Sequence, residues 1–194
     1  MRLYSNKRGQ LALFVILGII IVAGVVSYFI FRNYAFVSNI PEDFIPVYES
    51  YQNCISAETT RALGIAGAQG GRIYSESYSP GSDYAPYSSQ LNFMGGAVPY
   101  WYYVSGNGLI KEQVPSKQIM QEDIATYLED NLENCNFDSF YAQGMSINLD
   151  NIRARVDIQQ TVVNVHVDSS FVVSREGESA EKNSFDVQLL SKFG

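Results

Sequence analysis

Few residues in this chain have a type and spacing that could do chemistry. Cys54 and Cys135 are its two cysteines, 81 positions apart, and His166 is its only histidine. An even cysteine count outside a reducing compartment favours a disulfide, against the alternative of two buried thiols. Closing a loop of that length stabilises a fold by about 4–5 kcal/mol in the chain-entropy picture. Two isolated cysteines and one histidine do not make a zinc site, which takes three or four N/S ligands at close spacing. The sequence has no Gly-x-Ser-x-Gly elbow, no His-Glu-x-x-His and no phosphate loop. Glu122, Asp123, Glu129, Asp130 and Glu133 recur at helical spacing, where they read as a solvated face. No Asp-x-Asp-x-Asp-Gly loop supports a calcium site. Carboxylate pairs of the glycosidase kind stay formally open, but no pattern selects a pair. The chain is therefore read as no enzyme, with no catalytic, metal-binding or cofactor-binding residues, and a surface hydrolase ranks a distant third.

Aromatic residues offer a different kind of site. Tyr78, Tyr84 and Tyr87 lie in or beside a Ser/Gly/Pro-rich loop, Ser79–Gln90. Tyr100, Trp101, Tyr102 and Tyr103 follow in one strand-like run. Tyr, Ser and Gly together suit adaptable contact loops, and rigid aromatic faces stack on sugars or peptides. A solvated connector and plain core packing are the structural alternatives. The partner expected from these residues is an unknown protein or a surface glycan.

Location is written at the other end of the chain. Leu11–Phe31 is 21 residues without a charge, preceded by Arg2, Lys7 and Arg8 and closed by Arg32. At about 1.5 Å per residue, a helix of that length spans the roughly 30 Å hydrocarbon core of a bilayer. Positive flanks favour the cytoplasm. The expectation is one span through the lipid bilayer with the N-terminus inside. The run is too long and its far end too bulky for a cleaved secretory signal. All acidic residues come later, from Glu42 onward, so the part after residue 40 carries 9 basic and 20 acidic side chains, net −11. That excludes the basic surface that nucleic acid or anionic lipid requires. The expected division is a basic segment at 1–10, a membrane helix at 11–32, a linker at 33–40 and an extracytoplasmic domain at 41–194.

Lys7-Arg8-Gly9-Gln10 ahead of an apolar run resembles the class III signal of archaeal type IV prepilins. The resemblance implies a cut between Gly9 and Gln10 on the cytoplasmic side, with the apolar helix retained for self-assembly. That family carries a Glu five residues after the cut, where this chain has Phe14. The wider layout is similar to uncharacterised single-pass surface proteins of small-genome archaea. Those share a KRGQ-plus-apolar start, a Cys-bearing helix ending in Gln-Gly-Gly and a Pro-Tyr-Trp-Tyr-Tyr strand. The matching residues here are Cys54, Gln69-Gly70-Gly71 and Pro99–Tyr103.

These residues are held by an expected α+β domain of two helices on an antiparallel sheet. The first helix starts near Pro41, with Asn39 as a cap. It recurs at Phe44, Val47, Tyr48, Tyr51, Ile55, Ala62, Ile65 and Ala66, and ends at Gly70-Gly71. Gly64 and Gly67 suggest close packing. Arg72–Tyr78 reads as a short strand. Ala97–Val104 reads as one continuous strand, turning at Gly106-Asn107-Gly108 into Leu109–Val114. Ser116 caps a second helix reaching about Asn134, with Ile124, Leu128 and Leu132 inward. The last third alternates as a meander with one buried face, and a polar turn falls at Glu176–Asn183. His166 falls on its polar side with no partner evident in sequence. The apolar end, Leu189–Gly194, reads as a last strand or as a sign that the natural chain continues.

Taken together, the sequence suggests a membrane-anchored, single-pass cell-surface protein that binds a partner or supports the envelope. The alternative is a pilin-like filament subunit processed after Gly9.

Overall fold

Strict alternation of apolar and polar residues from Ile152 onward demands a half-buried sheet, and a sheet forms there. A computed structural model describes residues 16–27, 40–74, 88–93 and 96–192. The chain divides into two units, Met1–Asn39 and Ile40–Gly194. In the first, residues 16–27 form a helix, α1, with exposed side chains. Among the described residues no helix is long and apolar enough to cross a membrane. The remainder of Leu11–Phe31, the basic segment with Gly9 and Gln10, and nearly all of the linker including Asn39 lie outside the described residues.

The second unit is α+β. A 3-10 turn at Glu42–Phe44 leads into α2, Ile45–Ala68, with Pro46 in its first turn, where a missing N–H costs nothing. Its buried stripe is Val47, Tyr48, Tyr51, Ile55, Thr59, Ala62 and Ala66. Ile65 is only partly covered, and Thr59 joins the core by returning its hydroxyl to Ile55 O at 2.7 Å. The helix stops as expected. Gly70 and Gly71 take φ of +70° and +97°, and Gly71 N donates to Ala66 O at 2.7 Å, the bond that closes a Schellman end. Gly71 also needs its missing side chain, since a Cβ there would stand 2.7 Å from Pro115 Cγ. Gly64 does not serve close packing: nothing lies within 4 Å of where its Cβ would be. Residues 72–74 are not strand, and the rest of Arg72–Tyr78 lies outside the described residues.

Two small ribbons follow. β1 (Gln90–Phe93) pairs with β2 (Gly96–Pro99), and β3 (Tyr102–Val104) pairs with β4 (Ile110–Glu112), both antiparallel. Then comes α3, Lys117–Asn131, capped by Ser116 Oγ, which accepts from Ile119 N at 3.2 Å. It tightens into a 3-10 turn at Leu132–Asn134, and a short α4, Asp138–Tyr141, follows that the sequence did not announce.

The sheet is β5 (Ser146–Ile158), β6 (Val162–Arg175) and β7 (Glu178–Leu190), in that order and antiparallel. The expected polar turn is much shorter than Glu176–Asn183. Glu176 and Gly177, at φ +53° and +91°, make the whole turn, and the polar residues beyond them are strand. Two positive φ values in a two-residue loop match the right-handed twist of the paired strands. Register shifts by one residue between Asp150 and Arg153 of β5, and again between Asp168 and Phe171 of β6.

The valine face packs under α2 and α3. At its centre Tyr51 stacks on Phe171 (4.8 Å, 15°) and meets Phe185 edge-on at 4.8 Å. Burial pushes the Tyr51 phenol up to about 12. The outer edge of β5 is not left bare. From α3, Glu129 Oε1 accepts from Ala154 N at 2.9 Å and Gln121 Oε1 from Ile158 N at 3.4 Å. A covered edge cannot recruit another strand. Cys54 of α2 and Cys135, just past the 3-10 turn, form the disulfide and tie the two helical segments together.

Candidate functional site

The aromatic run does not fold as one buried strand. It breaks at Tyr100 and Trp101, where β2 ends and β3 has not begun. Pro99 has no N–H to carry a ladder onward. The break is held by Gln113, whose side-chain amide donates to Ser89 O and Tyr100 O, both at 2.9 Å. Its backbone N donates to Trp101 O at 2.7 Å, and Tyr100 N donates to Ser89 O at 3.0 Å. Together these hydrogen bonds hold the chain in the bend.

The bend turns the aromatics outward. Trp101 is 54% exposed and Tyr102 59%, and Tyr100 is partly open, so core packing is not their use. Tyr103 is half-buried. Phe93 on β1 (60%) and Ile110 on β4 (76%) are exposed as well. Ile110 faces Val104 in register, two residues along from the Tyr102–Glu112 pair, so Tyr102 and Ile110 share one face of their ribbon. The two aromatic tips are already partnered. Trp101 Nε1 donates to Gly70 O at 3.1 Å, and Tyr102 OH donates to Glu112 Oε1 at 3.3 Å. Between Trp101 and the end of α2 lies an open cleft of about 390 Å³ lined by Gly67, Gly70, Gly71, Val114, Pro115 and Met120. Tyr78, Tyr84 and Tyr87 lie outside the described residues.

A second cluster, unanticipated, lies on the polar face of the sheet. Arg155, His166 and Asp186 are direct register partners across β5, β6 and β7. His166 Nδ1 lies 2.6 Å from Asp186 Oδ1, and Nε2 lies 3.1 Å from Asp168 Oδ1. Arg155 Nη2 donates to Asp168 Oδ2 at 2.7 Å. The hydrogen bond to Asp186 is the main cause that raises the His166 pKa above its ordinary value; partial burial opposes it and Asp168 adds to it. The absence of a sequence partner for His166 is thus corrected. The signal that could have found Asp186 is the meander's own register, which aligns positions 166 and 186. The groove over these residues holds about 490 Å³ and is open to solvent. Among the described residues, the hydrogen-bond partners of the imidazole are the carboxylates of Asp186 and Asp168.

The acidic face of α3 is also less idle than expected. Asp123 is buried (9% exposed) and its Oδ2 accepts from Arg72 Nε and Ile73 N, both at 2.9 Å, and from Tyr74 N at 3.3 Å. Tyr74 OH donates to Asp130 Oδ2 at 3.0 Å, and burial first, then Asp130, pushes that phenol up to about 12. These carboxylates tie down the chain leaving α2. Among the described residues no set of three or more His, Cys, Asp or Glu is grouped to hold a metal ion. No family model, curated protein or solved structure matches the chain.

Proposed function

We propose that this chain is a membrane-anchored protein whose domain is displayed outside the cytoplasm and works by contact rather than by turnover. The observation that carries the contact reading is the exposure of Trp101, in the bend between the ribbons, and of Tyr102 and Ile110 on them, outside a core that is complete without them. Anchorage is supported by the 21 uncharged residues Leu11–Phe31 between Arg8 and Arg32. An outside location is supported by the bonded pair Cys54–Cys135, since such crosslinks persist in oxidising compartments. Carbonate extraction of native membranes tests anchorage: the chain should stay with the lipid, and release into the supernatant would refute the reading.

A second reading is favoured by Lys7-Arg8-Gly9-Gln10 directly before the apolar run. On that reading the chain is cut after Gly9 and assembles through its apolar helix as a pilin-like subunit. The intact mass of the membrane-extracted chain separates the two. Retention of Arg2 supports the plain anchor, and a Gln10 start supports processing.

A further inference from the structure

We propose that the ribbons bearing Phe93, Tyr102 and Ile110, with Trp101 in the bend that joins them, rest in the headgroup zone of the chain's own bilayer, so that the surface this domain contacts is lipid. The inference rests on the anchored reading and names its partner. Three observations carry it. The first is charge. Between Ser88 and Pro115 the only ionised side chains are Lys111 and Glu112, whereas the part after residue 40 carries net −11. So weakly charged a stretch approaches lipid with little repulsion and a small desolvation cost, unlike most of this acidic domain.

The second observation is the state of the aromatic tips. Trp and Tyr favour the membrane interface because their bodies are apolar and their tips polar. Here the tips are satisfied internally, Trp101 Nε1 by Gly70 O and Tyr102 OH by Glu112. Entering a phase poorer in water then strands no donor on either ring. The ribbons still have open edges, which hydrocarbon forbids. The headgroup zone, rather than the acyl core, is the depth they fit.

The third is reach. Asn33–Ile40 is eight residues, which extend to at most about 29 Å. A domain of this size has a radius of gyration of roughly 15 Å. So short a tether gives a lipid-binding patch a high effective concentration of bilayer, and weak insertion then suffices.

Trp101 is the only tryptophan of the chain, so its fluorescence reports this surface alone. The test reconstitutes the full chain in phosphatidylcholine vesicles, with and without bromine near the top of the acyl chains, and checks carbonate resistance on the same vesicles. The expected result is an emission about twofold lower in brominated vesicles, as for an interfacial Trp. Quenching should weaken in the Phe93→Ser, Ile110→Ser double variant, whose changed side chains are exposed and leave the core intact. Unchanged emission in a carbonate-resistant chain overturns the inference and leaves the anchor standing, with the ledge then free for a protein or a glycan. A chain stripped by carbonate overturns both.

Discussion

His166 and Asp186 sit directly opposite each other on β6 and β7, with Nδ1 2.6 Å from Oδ1. Protonated, the ring donates to Asp186 from Nδ1 and to Asp168 from Nε2. The folded state therefore holds the proton more tightly than the unfolded chain does. Stability from this source is fully present below the unfolded pKa of about 6.5 and is lost as pH rises through the higher folded value. The side chains are substantially exposed, so the effect is at most about 1 kcal/mol. Because the chain has one histidine, a single imidazole resonance reports it. Titration by NMR should give a midpoint above that of a free histidine, and Asp186→Asn should bring it down. A midpoint at or below the free value would contradict the geometry.

Asp123 gathers Arg72 Nε and the Ile73 and Tyr74 amides onto one buried oxygen. Asp123→Ala strands those donors and should cost about 1–3 kcal/mol in urea unfolding. Glu122→Ala, one position away on an exposed site, should change stability by less than about 0.5 kcal/mol. Equal effects would mean that Asp123 is part of the solvated face after all.

Two glycines of the Cys54 helix and its end should respond in opposite directions to alanine. Gly64 lies on an exposed helical turn with open space around it, so Gly64→Ala should stabilise by about 0.5–1 kcal/mol. Gly71 combines φ +97° with the Pro115 contact, so Gly71→Ala should destabilise by more than about 1 kcal/mol. Thermal melts of the two variants on either side of the parent check both.

Removing the crosslink should be the most costly of these changes. The Cys54→Ser, Cys135→Ser double variant loses the constraint on the unfolded chain and should unfold at markedly lower urea, by about 4–5 kcal/mol in the chain-entropy picture. Non-reducing mass mapping of the native protein should find Cys54 and Cys135 in one crosslinked peptide pair. Two alkylatable thiols would contradict it.

What was legible in the sequence and what was not divides by range. Alternation through Val163, Val165 and Val167, and helical spacing through Val47, Tyr51 and Ile55, are local signals, and the α+β layout with its meander followed from them. The Ser116 cap and the Gly70-Gly71 stop were equally local. Asp123 looked solvated because its partners lie about fifty residues earlier, at a turn no periodicity marks. The break at Tyr100–Trp101 was hidden for a similar reason. The aromatic pattern of Ala97–Val104 reads through Pro99 as one strand, and the bend is held by Gln113, which a strand pattern reads merely as a polar position. The aromatic residues consequently face solvent, where their spacing alone suggested a core.

Adding chymotrypsin to intact cells tests most directly whether an anchored domain lies outside the cytoplasm. The Tyr-rich segment Tyr84–Tyr103 offers it many sites. The full-length chain should disappear while an N-terminal fragment stays with the membrane. A full-length chain that survives until the cells are lysed would contradict it.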